Sequence, residues 1–396
     1  GIGNAYAGSA AVAENASTIF FNPAGMTQLQ AREVSAGLSL VRPSFKFSDQ
    51  GSKAGVLSGN AQDAGDWAAL PNAYLSWALT KDLYVGVGMG APFGLVTEYN
   101  PDWAGAAHSI KFDIKTININ PSIAWRANEK VSLGFGLNWQ RMEAEYVRRA
   151  GIVDLPAGAG GVLIPRPLSQ SFATLDADDD SWGWNVGALF TVSDATKVGV
   201  SYRSKIKHEL EGSLSVSGPN PVFNTVGSSG ANATVELPDT FIFSVAHKLD
   251  PKWELLGDVS WTGWSSVDKV DIIRSSGALA QTLDTDFQDT WRVALGANYQ
   301  LDDAWKLKFG VAFDETPVKN AEKRLTSLPD NDRIWFSFGG QWKASKASTL
   351  DMGVSYLYVD DTKINNGSAT DLQKGLVKGE YDSSVWILGA QYSMSF

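Results

Sequence analysis

Residues Val131 to Gln140, VSLGFGLNWQ, separate by parity. Val131, Leu133, Phe135, Leu137 and Trp139 fall on one set; Ser132, Gly134, Gly136, Asn138 and Gln140 fall on the other. Successive side chains point to opposite faces of a β-strand, so this segment predicts a strand with one apolar face and one small or polar face. The alternation recurs. Trp291, Val293, Leu295, Ala297 and Tyr299 oppose Arg292, Ala294, Gly296, Asn298 and Gln300. Trp305, Leu307, Phe309, Val311 and Phe313 oppose Lys306, Lys308, Gly310, Ala312 and Asp314. The C-terminus closes on Trp386, Leu388, Ala390, Tyr392, Met394 and Phe396.

The pattern predicts fourteen strands, at 32–48, 68–79, 83–98, 109–126, 131–148, 180–192, 197–217, 231–248, 252–274, 285–300, 304–315, 332–344, 348–364 and 380–396. A soluble sandwich also alternates, so the connections decide between the two. Short linkers (80–82, near 129, 193–196, 249–252, 301–303, near 345) alternate with long ones (49–67, 99–108, 149–179, 218–230, 275–284, 316–331, 365–379). An even number of antiparallel strands with short turns at one end and long loops at the other is the pattern of an outer-membrane β-barrel. Trp125, Trp139, Trp253, Trp261, Trp305 and Trp342 near strand ends fit interfacial girdles. The expected fold is therefore all-β: a 14-stranded antiparallel transmembrane barrel over residues 32–396, preceded by a small Ala-rich segment, residues 1–31.

Composition agrees and excludes several chemistries. No run of 18 apolar residues is present, so no transmembrane helix is expected. A mean hydropathy of −0.13 is no obstacle to a barrel, whose strands turn only alternate residues to lipid. With 43 acidic against 33 basic residues, the charge of −10 disfavours a nucleic-acid partner. The absence of Cys removes thiol catalysis, disulfides and Cys-based metal sites. His108, His208 and His247 are far apart in sequence, and no metal site or cofactor is expected. The chain starts at Gly1 without Met, which reads as a processed or truncated form.

Four stretches carry a resemblance: GIGNAYAGSAAVAENAS with FFNPAGMTQL near the start, LPDTFIFSVAHKLDPKWELLGDVSWTGWS, FQDTWRVALGANYQLDDAWKLKFGVAFDETPV, and LPDNDRIWFSFGGQW. They resemble the FadL family of outer-membrane long-chain fatty acid transporters, from Gly3 to Phe396 and most specifically at Asn22-Pro23-Ala24 and in 285–342. The resemblance implies that residues 1–31 are a hatch plugging the lumen. It also implies passive transport without cofactor or catalytic residue, in the bacterial outer membrane, among lipid and lipopolysaccharide, as a monomer. Family members usually carry several residues before the GIGNAYAG equivalent, and those help shape the ligand pocket.

A plugged barrel needs an exit for its substrate. Gly86, Gly88, Gly90 and Gly94 surround Pro92 inside the expected third strand. Proline cannot donate to the ladder and Gly weakens or kinks it. The resemblance places a lateral opening there, at Gly90, Ala91, Pro92, Phe93 and Gly94; a structural bulge without a transport role is the alternative. Pro121 on the next strand has no such counterpart. Apolar residues on the inward parity (Leu256, Val385, Ile387) suit an acyl chain or, equally, packing against the hatch. Outside, Val162, Leu163 and Ile164 in one loop and Val222 and Phe223 in another are candidates for an apolar capture groove, or for loops that pack on each other.

A fatty acid's carboxylate needs a cation. Arg148 and Arg149 sit at the outer end of the fifth strand, and the resemblance implies that Arg148 approaches the head group. The family's second basic partner is replaced by Gln288, which keeps open a ligand without charge, such as an aromatic or aliphatic hydrocarbon. A barrel-embedded hydrolase would have to start from an outward-facing His208 with Ser201 or Ser213.

Overall fold

The computed structural model describes residues 1–396. Twenty strand segments build a closed antiparallel barrel of fourteen strands. In chain order these are β1 (Arg32–Asp49), β2 (Ala68–Ala78), β3 (Leu83–Gly90 and Gly94–Glu98), β4 (Lys111–Arg126), β5 (Val131–Arg149) and β6 (Phe172–Thr191). Then come β7 (Thr196–Arg203 and Ile206–Ser217), β8 (Ser229–Leu237 and Thr240–Lys248), β9 (Trp253–Thr262 and Val270–Arg274) and β10 (Leu279–Leu283 and Thr290–Gln300). The last are β11 (Trp305–Asp314), β12 (Arg333–Lys343), β13 (Ser348–Val359 and Thr362–Gly367) and β14 (Leu376–Ser395). Closure is made by β1 and β14, in register from Glu33↔Ser395 to Asp49↔Gly379. A closed ladder is what lets a β-wall stand in hydrocarbon, where no water satisfies a free N–H or C=O.

The expected alternation is the wall itself. Leu133, Phe135 and Leu137 on β5, Trp291, Val293 and Leu295 on β10, and Phe309, Val311 and Phe313 on β11 are all exposed on the outer surface. Their opposite-parity neighbours Ser132, Asn138 and Gln140 are buried toward the lumen.

Two boundaries differ from expectation. Strand β6 begins at Phe172, eight residues before the expected 180. Its first part does alternate, with Ala173, Leu175 and Ala177 buried opposite exposed Asp176 and Asp178, but the acidic run masks the apolar face. Strand β10 is broken between Leu283 and Thr290, where Asp286 takes a positive φ of 43°. Pro121 leaves the β4–β5 register unchanged: Ile119↔Trp139 and Ser122↔Gly136 stay paired on either side of it. The Asn120 side-chain amide donates to the Leu137 carbonyl at 2.8 Å, supplying a local donor where proline has none.

Before β1, the N-terminal segment runs through short helical turns at Ile2–Asn4, Thr18–Phe21 and Pro23–Gln28. It lies against wall positions where a strand would ordinarily carry side chains. A Cβ at Gly199 would stand 1.8 Å from the Ala10 carbonyl oxygen, one at Gly187 2.0 Å from Asn22 Oδ1, and one at Gly134 2.3 Å from the Ala24 nitrogen. Glycine at these strand positions is thus required by the close approach of the N-terminal segment, its backbone at Gly199 and Gly134 and the Asn22 side chain at Gly187. The wall then binds the segment with polar groups. Lys308 Nζ reaches Glu14 at 2.7 Å and Asp351 at 3.0 Å, Arg292 donates to the Ala5 carbonyl at 2.7 Å, and Ser244 Oγ accepts from the Ala10 amide at 3.0 Å. Leu256 packs with Ala5, Ala7 and Ala11, and Val385 and Ile387 join that cluster. The inward apolar residues of β9 and β14 therefore serve packing against this segment.

A Gly199→Val substitution should displace residues near Ala10 without unfolding the wall. Planar-bilayer recording should show a leak conductance absent from the parent protein, with unheated gel mobility still that of a closed barrel.

Candidate functional site

At the β2–β3 seam the strand pairing of the wall is incomplete. Pairing runs from Ala78↔Tyr84 to Ala73↔Met89 and stops. Beyond the break at Ala91–Phe93, the second half of β3 pairs only with β4, from Gly94↔Lys115 to Glu98↔Lys111. If the β2–β3 register continued, Pro71 would face Ala91 and Leu70 would face Pro92; neither proline can donate. The seam closes again above, where the Glu98 amide donates to the Ala64 carbonyl at 3.0 Å. Between these points the inner edge of β2 from Ala68 to Asn72 has no strand partner on this side, and Asn72 Oδ1 is buried without a hydrogen bond. The Phe93 amide is taken up instead by Thr116 Oγ1 at 3.0 Å, which holds the bend. Gly90, Ala91, Pro92, Phe93 and Gly94 thus border a gap in the wall. Pro71 was not singled out from the sequence, because it stands alone in a strand without neighbouring glycines.

Behind the gap lies a cavity of about 200 Å³. Pro92 and Phe93 form one side, Phe20 and Phe21 of the N-terminal segment another, and Arg203, Ile206, Leu237 and Trp264 the far wall. An apolar lining continues outward from it. Phe93, Phe112, Trp264 and Leu328 pack against a buried cluster that includes Met142, Tyr146, Leu175, Leu210, Leu214, Ile272, Phe287 and Leu325. This lining is contributed by the inward faces of β4 to β10 and by the loop that follows β11.

At its outer end the lining meets cations. Arg148 Nε donates to Gln281 Oε1 at 2.6 Å and Lys374 Nζ donates to the Thr282 carbonyl at 3.2 Å, so the two grip the same short segment of β10. Arg274 donates to the Gly227 carbonyl at 2.6 Å. None of the three forms a salt bridge; their partners are neutral oxygens. Burial and then the Arg148 charge hold the Lys374 ammonium below the ordinary lysine range. Lys374 and Arg274 lie far from Arg148 in sequence, and only barrel closure brings them to it. Gln288 is elsewhere engaged, donating to the Thr316 carbonyl at 3.0 Å. Arg149 turns away: it donates to the Pro101 carbonyl at 2.8 Å and covers the Phe172 ring at 4.1 Å.

The loop candidates are at the outer surface. Leu163 is 92% exposed, flanked by half-buried Val162 and Ile164, and Val222 is exposed beside half-buried Phe223 on the helix Pro221–Gly227. His208 does not face outward as the hydrolase reading required. It is fully buried, with Nδ1 at 3.1 Å from Asp179 and Nε2 at 3.1 Å from Gln140. The strand parity was assigned across the break at Ser204–Lys205, which shifts the face of every residue after it.

The whole chain, residues 1–396, matches the family model described as outer membrane protein transport protein (OMPP1/FadL/TodX). The chain belongs to this FadL/TodX family. The long-chain fatty acid transport protein of Escherichia coli (strain K12) is 29% identical over 424 residues, covering 100% of this chain and 92% of that protein. Outer membrane protein P1 of Haemophilus influenzae is 30% identical over 90% of this chain and 83% of its own length. Among solved structures, a Pseudomonas aeruginosa FadL homologue superposes with a TM-score of 0.88 at 22% identity, covering 100% of this chain and 97% of that one. The Ralstonia pickettii toluene transporter TbuX gives a TM-score of 0.70 at 16% identity, covering 100% and 98%. This FadL-family member is an outer-membrane transporter of hydrophobic compounds rather than an enzyme.

The Asn22-Pro23-Ala24 motif has a structural role in this FadL-family chain. Asn22 is fully buried and caps the turn Pro23–Gln28, accepting from the Ala24 amide at 3.1 Å. Its Nδ2 donates to the Ala10 carbonyl at 2.8 Å and to Ala188 on β6 at 3.0 Å, tying two parts of the N-terminal segment to the wall.

The outer loops form a packed cover in which Tyr99 stacks on Trp103 at 4.1 Å and shares a hydrogen bond with Tyr381 at 2.8 Å. His108 sits in this cover with Nε2 at 3.1 Å from the Gly375 carbonyl. Burial, reinforced by Lys374 and Arg148, pushes its imidazole from 6.5 down to about 4. An unfolded cover takes up this proton below 6.5 and the folded one resists until about 4. Stability is therefore complete above the upper value and falls as pH drops through the window, by up to roughly 3 kcal/mol. Limited proteolysis of the loops should accelerate between pH 7 and about 4.5, and His108→Asn should flatten that dependence.

Proposed function

We propose that the protein carries long-chain fatty acids across the outer membrane by lateral release. The exposed apolar residues Leu163 and Val222, with Val162, Ile164 and Phe223, gather the amphiphile at the cell surface. Its carboxylate is then met by Arg148, joined by Lys374 and Arg274, while the acyl chain enters the apolar lining that begins at Tyr146. Each methylene buried there contributes roughly 0.8 kcal/mol. Residues 1–31 act as a hatch whose rearrangement opens the way to the cavity beside Phe20 and Phe21, and the substrate leaves through the seam bordered by Gly90, Ala91, Pro92, Phe93 and Gly94. The protein works as a monomer among outer-membrane lipid and lipopolysaccharide.

The observation that carries this reading is the trio of half-buried cations bonded to neutral oxygens, none of them in a salt bridge, at the outer end of the apolar cluster. A lining of this kind admits a neutral hydrocarbon, but unpaired guanidinium groups are costly to keep dry unless an anion joins them. The E. coli relative, described as a long-chain fatty acid transport protein, supports the same choice. Uptake of aromatic hydrocarbons is the second reading, favoured by the aromatic share of the lining: Phe93, Phe112, Tyr146, Trp264 and Phe287.

Titration of the detergent-purified protein with oleate and with toluene separates the two. An Arg148→Ala, Lys374→Met double variant should weaken oleate binding at least about tenfold and leave toluene unchanged. Equal toluene and oleate binding, indifferent to these cations, would favour the hydrocarbon channel.

The exit has its own test. A side chain at Gly94 would meet nothing nearer than the Ile114 carbonyl at 3.5 Å, so the fold should accept one. Gly94→Arg should abolish oleate uptake into proteoliposomes while unheated gel mobility stays that of the folded barrel. Undiminished uptake would rule out the lateral route.

A further inference from the structure

The lumen holds several buried cations, and some are neutralised. Lys308 lies between Glu14 and Asp351, and Arg292 and Arg333 share Asp314 at 3.8 and 3.3 Å. Arg203, like the outer trio, is not neutralised. Its guanidinium donates to Asn138 Oδ1 at 2.5 Å and to the Phe20 carbonyl at 2.7 Å, with Asn120 Oδ1 at 3.5 Å. It also covers the Phe20 ring at 4.2 Å. Every oxygen around it is a neutral dipole, and it forms no salt bridge. A charge removed from water is ordinarily matched by an opposite charge, and nothing in this chain provides one.

Arg203 lines the cavity behind the gap in the wall, together with Phe93 of the break in β3 and Trp264. We propose that Arg203 is a second carboxylate-binding site, specific for long-chain monocarboxylates, at the point where the substrate turns toward the membrane. The proposal rests on the fatty-acid reading above. The carboxylate takes the place of the Phe20 carbonyl on the guanidinium, in the bidentate geometry that suits this pair. The alkyl tail lies along Phe93 and Ile206. Displacing the Phe20 carbonyl removes one of the ties between the turn Thr18–Phe21 and the wall, so occupancy of the site and loosening of that turn are one event. The outer cations and Arg203 then form two successive stations for a head group, joined by the apolar lining. A neutral hydrocarbon would pass without using either.

Trp264 provides the readout. The full chain in detergent is titrated with 9,10-dibromostearate and with 9,10-dibromostearyl alcohol, whose bromines quench a nearby indole. The Trp264 contribution is taken as the difference from a Trp264→Phe variant. Arg203→Met should weaken acid quenching at Trp264 about tenfold or more, Arg203→Lys should restore part of it, and the alcohol should be unaffected. Unheated gel mobility checks that the barrel has formed. Should the Met variant not fold, Arg203→Gln keeps donors toward Asn138 and Phe20 without the charge, and the same acid-specific loss is expected. Equal loss for acid and alcohol, or no loss for either, would overturn the site. If the acid still binds in an Arg148-dependent way while Trp264 is indifferent to Arg203, the second station fails and the fatty-acid reading stands. If the parent protein takes up the alcohol but not the acid, both fail together.

Discussion

A β-wall in hydrocarbon must satisfy its own backbone, because lipid offers neither donors nor acceptors. That constraint organises this molecule. Fourteen strands close through β1 and β14, and the breaks that remain are informative because each would be costly if unexplained. At Pro121 a missing donor is compensated locally by the Asn120 side chain, and the register continues. At Ser204 the hydroxyl accepts from the Trp184 amide at 2.9 Å and stands in for a ladder partner. The seam between β2 and the broken third strand leaves an edge without strand pairing and without such a local substitute, with Pro71 and Pro92 on its two sides.

The interior is divided by the same economy. The part of the lumen occupied by residues 1–31 is polar and glycine-rich, since another backbone has to lie against the wall and be hydrogen-bonded there. These polar ties sit beside apolar packing of Ala5, Ala7 and Ala11 on Leu256 and of Ile19 and Met26 on Tyr74 and Tyr84. Outward of it, the inward faces of the strands become apolar, and the cations at the far end form no salt bridge. Phe93 at the break in β3 packs against this apolar cluster, and Arg148 and Gln281 meet the same cluster at Tyr146.

Much of the wall was legible in the sequence because period-two alternation survives in every strand that faces lipid. It failed where a second pattern overlay it. The acidic run around Asp178 hid the alternation of Ala173, Leu175 and Ala177, and the break at Ser204–Lys205 reversed the face assigned to His208. The glycines of β3 announced the kink, whereas Pro71 gave no local signal. Arg148 stood out beside a strand end, but Lys374, Arg274 and Arg203 are single basic residues in unremarkable contexts. Their meaning comes from which neighbours they lack, and that is visible only when the barrel is closed around them.

The most direct test of the account is to map where a bound acyl chain touches the protein. A long-chain fatty acid bearing a diazirine near its methyl end would be bound, photolysed and located by peptide mass spectrometry. The account predicts adducts on the apolar lining and at the gap, at Phe93, Trp264 and the neighbouring residues of β2. Adducts confined to the short turns at the opposite end of the barrel, or to the underside of residues 1–31, would mean that the substrate passes straight through, and would contradict lateral release.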